Sequence, residues 1–229
     1  MKPDDIIDIP AVLAEIARGA RCILQVRHAE RPKMDPDDPS FGDALPITEE
    51  GVRTARRLGE MLAPLASDVQ FYASPLRRTR MTAEMIAAGM GVEKPEIPTD
   101  DLLGNGSFYY ADAAQVLEVF QPRNFFPACF EYFRTGHLRG FNELHAATDA
   151  LERWLVERLT RRLFVATTHD CYIAAYLSAR GAVAEFTREN WPRFLDGGAT
   201  FLYPDGSRRY ALVRTGLSTG ICGVGGKVM

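Results

Sequence analysis

Three short clusters in this chain join cations to a histidine, a hydroxyl or a carboxylate. They are Arg27-His28 with Arg31 close behind, Ser74-Pro75-Leu76-Arg77-Arg78, and Thr168-His169-Asp170. An arginine beside a histidine suits a reaction in which a fixed cation grips an anion while the imidazole attacks it. The second cluster adds a hydroxyl and more positive charge, and the third adds another imidazole and an acid. Each also has a plainer account. Arg27 or Arg31 can pair with Asp35, Asp37 or Asp38 at the surface, and Thr168-His169-Asp170 can simply cap a helix. Their shared position distinguishes them.

Each cluster ends an apolar run: Cys22-Ile23-Leu24-Gln25-Val26, Val69 to Ala73, and Leu163 to Thr167. Short aliphatic runs bounded by loop signals predict buried parallel strands. Ligands of open α/β sheets bind outside the carboxyl ends of such strands. If the three strands are parallel, the three clusters converge on one sheet edge.

Helices predicted between the strands supply the crossovers. Asp8 caps a helix to Arg18, with Pro10 in its first turn and Gly19 past its end. Thr48 caps a second, whose Val52, Ala55, Leu58, Leu62 and Leu65 form one stripe. Further helices are expected from Leu76 to Ala88, from Asn142 to Thr160 and from Cys171 to Arg180. Residues 95–103 predict a short strand, and Thr200–Tyr203, Pro204-Asp205-Gly206 and Tyr210–Arg214 a closing hairpin. The alternation predicts an α/β fold, a three-layer α/β/α sandwich with a mostly parallel sheet. No linker or repeat divides the chain, so 1–229 is expected to be a single domain. Nine of its 23 aromatic residues fall between Phe108 and Phe133, which predicts an inserted cap over about 104–140. The glycine-rich tail, about 216–229, is expected to be loosely held.

Helical spacing separates the paired arginines. Arg78 shares a face with Met81, Thr82, Met85 and Ile86, whereas Arg77 aligns with Arg80 and Glu84. Arg78 is therefore the inward cation, in a first turn whose N–H groups also favour an anion.

Bulk properties narrow the ligand. With 27 basic and 30 acidic residues in 229, the net charge is −3, so no global basic field recruits nucleic acid or anionic membrane. An anion site must be local. No signal peptide and no apolar stretch near 18 residues is evident, and the four cysteines form no CxxC pair. A cytoplasmic protein with reduced thiols is expected. His145 shares a polar face with Asp149 and Glu152 and is expected in solvent. His137, with Arg134 and Arg139, is expected at the surface, the alternative being contact with a second anionic group of the substrate. A metal around His28, His169, Asp170 and Cys171 is disfavoured, because the spacing is wrong and three arginines repel a dication.

Taken in order, Arg27-His28-Ala29-Glu30-Arg31-Pro32, Ser74-Pro75-Leu76-Arg77-Arg78 and His169-Asp170 resemble the signatures of the histidine phosphatase superfamily, which includes phosphoglycerate mutases and histidine acid phosphatases. Leu45-Pro46-Ile47-Thr48-Glu49-Glu50-Gly51, before the second helix, is similar to that family as well. The resemblance covers about residues 22–180. It implies a phosphohistidine at His28, with Arg27, Arg78 and His169 lining the phosphate pocket. Arg31 joins them, and Asp170 protonates the leaving oxygen, as in the acid-phosphatase branch. Glu93 and Glu96 are poorly placed for the glutamate of the mutase branch, and Asp100 or Asp101 is the fallback acid. Ala29 stands where the family usually has glycine. The implied activity is a metal-independent phosphomonoester hydrolase without cofactor, acting on a small phosphorylated metabolite. A phosphoglycerate mutase-like phosphotransferase and a non-catalytic phospho-ligand binding module are the alternatives.

Overall fold

The structure is a computed structural model and describes residues 4–34, 42–105, 107–120, 124–218 and 220. Asp35, Asp37, Asp38, Cys222 and most of the glycine-rich tail lie outside the described residues.

Strands β1 (Ile6–Ile7), β2 (Arg21–Arg27), β3 (Val69–Ala73), β4 (Leu163–Thr168), β5 (Gly197–Leu202) and β6 (Arg208–Val213) form one sheet in the order β1-β6-β5-β2-β4-β3. Only β5 runs against the others. Side chains alternate between the faces. Cys22, Leu24 and Val26 of β2 join one apolar cluster, while Ile23 joins the other. The same parity sends Leu163 and Val165 of β4 to the first face and Phe164 and Ala166 to the second. Because both faces are covered, these strands read as continuous apolar runs.

Helices α1 (Ile9–Ala17), α2 (Glu49–Leu62) and α3 (Arg77–Met90) cover the first face. Asp8 accepts the Ala11 N–H and Thr48 the Gly51 N–H, so both predicted caps form. Helices α2 and α3 touch backbone to backbone through Gly59 and Gly89. A Cβ at Gly59 would lie 2.1 Å from the Ile86 carbonyl oxygen, and one at Gly89 would lie 2.0 Å from that of Arg56. This contact fixes the helix that carries Arg78.

The second face is covered by α6 (Leu144–Arg158) and α7 (Asp170–Ala179), with α4 (Ala113–Val119) and α5 (Phe125–Thr135) in the aromatic cap. Trp191 sits among Phe126, Phe130, Phe133 and Phe186, with ring centroids 5.1 to 6.1 Å away.

Three expectations need correction. Residues 95–103 give a single bridge, Ala73 to Thr99, followed by a 3₁₀ turn at Asp101–Leu103, because Asp100 caps that turn through the Leu102 N–H. Helix α6 is capped by Glu143, not Asn142, whose amide donates instead to the carbonyls of Phe108 and Tyr110. His145 is exposed as expected, but Glu152 is buried. It pairs with Arg180 and Arg208 and accepts the hydroxyls of Tyr176 and Tyr210.

Candidate active site

The strand register assembles the three clusters. Arg27 at the end of β2 pairs with Thr168 at the end of β4, and Ala73 of β3 pairs with Thr167. The ladder continues past the strands, with the His28 N–H donating to the Thr168 carbonyl and the Ser74 N–H to that of Thr167, both at 3.0 Å. His28, Ser74 and His169 thus leave the sheet side by side. Arg27, His28, Arg31, Arg78, His169 and Asp170 all line one cavity of about 380 Å³. Arg77 is exposed, pointing away from it. Glu93, Glu96, His137, Arg134 and Arg139 are exposed too and do not line it. Asp100 and Asp101 are also absent from its wall.

His28 is held in one tautomer. Its Nδ1 lies 2.8 Å from the Ala29 carbonyl oxygen, which can only accept, so Nδ1 carries the hydrogen and Nε2 keeps its lone pair. Burial, then the charges of His169, Arg27 and Arg78, hold the imidazole well below its ordinary pKa. It is neutral, and its basic nitrogen sits among cations. Ala29 does not crowd this arrangement. Its N–H donates to Thr82 and its methyl packs in the apolar cluster under the sheet, outside the cavity wall.

The two buried arginines present unfilled donors. Arg27 donates through Nη1 to the Pro192 carbonyl at 2.7 Å, pairs through Nη2 with Asp170 at 3.1 Å, and lies over the Phe194 ring at 4.5 Å. Arg78 donates to the Gly42 carbonyl, and burial beside Arg31 pushes it down to about 10, still cationic at neutral pH. The Nε groups of both are buried and have no partner among the described residues. Arg31 is half-buried and donates through Nη1 to the Pro32 carbonyl.

His169 starts α7 as its cap residue, the plainer role, yet its side chain makes no capping bond. Its Nε2 meets the Ser74 hydroxyl at 3.2 Å, which meets Thr79 at 2.8 Å. The Thr79 hydroxyl has the Ser74 and Leu76 carbonyls within 2.8 Å, so the chain is anchored on backbone. Asp170 accepts the Trp191 indole N–H at 2.9 Å and Arg27 on the same oxygen, Oδ2, while Oδ1 accepts the Cys171 N–H. Burial lifts the neighbouring Cys171 thiol far above its ordinary value, so it stays protonated.

Sequence reasoning did not find the residues of the 187–196 loop that hold this site. Trp191, Pro192 and Phe194 all touch Arg27 or Asp170 but sit on no motif. The only cue was that Trp191 is one of two tryptophans in the chain. Asp43 and Asn105, which line the cavity, were likewise unmarked.

Both pocket histidines couple stability to pH. Burial, followed for His169 by the charges of Arg78, Arg27 and Arg31, holds them neutral in the fold, while the unfolded chain protonates them near pH 6.5. The unfolded state therefore binds more protons in acid, so stability is present above pH 6.5 and is lost as the pH falls below it. Each histidine costs up to about 1.4 kcal/mol per pH unit there. Thermal unfolding between pH 7.5 and 5.5 is expected to show a falling Tm that is shallower in His28→Asn and His169→Asn. Equal slopes in all three proteins would refute the assignment.

The match to the family model for the histidine phosphatase superfamily (branch 1) spans residues 23–183. No curated protein matches the sequence. Among solved structures, a mycobacterial glucosyl-3-phosphoglycerate phosphatase bound to inorganic phosphate is similar, with 19% identity and a TM-score of 0.54, covering 86% of this chain and 97% of that one. A phosphoserine phosphatase from Entamoeba histolytica aligns with 13% identity and a TM-score of 0.51, over 86% and 98%. These likenesses show the phosphoglycerate mutase-like fold. With the family match covering 23–183, the chain belongs to the histidine phosphatase superfamily.

Proposed function

We propose that the protein is a phosphomonoester hydrolase working through a phosphohistidine at His28. The observation that carries this reading is the Nδ1–H bond to the Ala29 carbonyl, which leaves Nε2 as a bare nucleophile beside Arg27 and Arg78. Nε2 forms a bond to phosphorus as the ester P–O bond breaks, and the leaving oxygen takes a proton from Asp170. Water, giving its proton back to the Asp170 carboxylate, then attacks phosphorus, the P–N bond breaks, and inorganic phosphate leaves. Arg27, Arg31, Arg78 and His169 neutralise the oxygens throughout, with no reorganisation needed at the moment of transfer. Burial, then the charges of Arg78, Arg27 and Arg31, hold His169 neutral; a phosphate dianion offsets the arginine charges and so shifts the balance toward its protonated, doubly donating form.

Asp170 and Arg31 take their roles from the resemblance to the acid-phosphatase branch, and geometry supports both. Asp170 lines the cavity, and its Oδ1, with one backbone partner among the described residues, has room for the proton. The expected result for Asp170→Asn, which keeps the acceptor for Trp191, is a loss of about 10²–10⁴-fold in kcat/KM on alkyl phosphates. Little loss is expected on p-nitrophenyl phosphate, whose leaving group needs no proton. Equal losses on both would assign the acid elsewhere, with Asp43 the other carboxylate on the wall among the described residues. Turnover is expected to survive chelator and to release free inorganic phosphate, which separates hydrolysis from mutase chemistry. A reduced, cytoplasmic setting fits the free thiols of Cys22, Cys129 and Cys171. Among the described residues no helix is long and apolar enough to cross a membrane.

A further inference from the structure

The cavity is chemically two-sided. One side holds every cation that lines it among the described residues, Arg27, Arg31 and Arg78, together with both histidines. The other is supplied by the cap, where Val116, Leu117, Phe120 and Phe125 face the space with Tyr110 and, from α7, Tyr172. The two tyrosine hydroxyls are spent largely on each other, Tyr172 donating to Tyr110 at 2.9 Å, and burial keeps both protonated. Among the described residues this wall therefore carries no charge. Among the described residues, the cap's cations are turned elsewhere: Arg139 pairs with Glu118 at 3.0 Å, and Arg134 and His137 are exposed away from the wall.

A substrate bound with its phosphate among the arginines must lay its leaving group on that wall. A carboxylate or second phosphate there would be desolvated with no counter-charge among the described residues, and a polyol would lose water for few partners beyond the Asn105 amide. An apolar group loses nothing and gains burial. We propose that the cap wall is a leaving-group subsite for apolar alcohols, so that the preferred substrates are small alkyl or aryl phosphomonoesters rather than sugar phosphates or phosphoglycerates. The size agrees, since about 380 Å³ lies at the small end of ligand cavities. This inference rests on the hydrolase reading only for the word substrate; the subsite itself is a binding property.

The test therefore measures binding first. Titration calorimetry of the wild-type protein with ethyl-, butyl- and hexylphosphonate, whose P–C bonds the enzyme cannot break, is expected to show affinity rising about three- to fourfold per methylene. Ethylphosphonate is expected to bind at least as well as 3-phosphoglycerate or glucose 6-phosphate. Leu117→Asp, at a position 49% exposed and so tolerant of change, is expected to cut the hexyl-to-ethyl ratio at least fivefold. A flat alkyl series, or tighter binding of the carboxylate or sugar ligand than of hexylphosphonate, would overturn the subsite. The matching phosphate esters then report turnover. Chain-length-dependent binding with no turnover of any ester would overturn the hydrolase reading and leave the subsite standing.

Discussion

His28→Ala is expected to lower kcat/KM for every phosphomonoester by about 10⁴-fold or more, and to abolish the acid-labile phosphoenzyme seen on rapid quenching. The size follows from what is removed. Arg27, Arg78 and His169 would still bind and polarise a phosphate, but the bare imidazole nitrogen fixed by the Ala29 carbonyl would be gone. Water would then have to attack directly, with no base positioned for it. Phosphate affinity in this variant is expected to persist, because Arg27, Arg31, Arg78 and His169 all remain on the cavity wall. A separation of the two properties, lost turnover with retained phosphate binding, is the signature to look for. Undiminished turnover would remove His28 from the reaction, and acid-labile phosphate appearing on His169 would reassign the nucleophile.

Arg27→Lys is expected to cost about 10²–10³-fold in kcat/KM, although it preserves the charge. The guanidinium makes three separate contacts at once, with the Pro192 carbonyl, the Asp170 carboxylate and the Phe194 ring, and still offers Nε. An ammonium cannot span them. Lysine in a site only 2% exposed also meets a desolvation penalty that the delocalised cation bears better. The substitution should therefore loosen Asp170 as well, and kcat on alkyl phosphates should fall further than on p-nitrophenyl phosphate. A lysine variant with wild-type kinetics on both would show that Arg27 contributes charge alone.

How much of this was legible in the sequence depends on which residues carried a period or a boundary. The strands bearing Arg27, Ser74 and His169 were readable because both faces of the sheet are covered, turning each into an apolar run that stops abruptly. Helical spacing separated Arg78, buried, from Arg77, exposed. The 95–103 stretch misled because its residues suit an extended chain, but Asp100 spends its side chain on the Leu102 N–H and curls the backbone. Glu152 misled for a different reason. A carboxylate on a helix reads as solvated unless its partners are known, and these are Arg180, just past α7, and Arg208 of β6, far along the chain. The loop holding Arg27 and Asp170 was invisible on similar grounds: its contacts with them are long-range, and its own sequence has no period.

The single reversed strand explains where that loop ends up. Because β5 runs against its neighbours, its beginning lies beside the end of β2, Val26 pairing with Gly197, so residues entering β5 reach the reactive edge. Its far end, the turn at Pro204-Asp205-Gly206, must then lie at the opposite pole of the sheet, and residues 204–207 are exposed there. For anyone wishing to tether the protein to a surface or splice in a reporter, that turn is the natural handle: its tight backbone is remote from the strand ends that carry Arg27, His28 and His169 to the cavity wall.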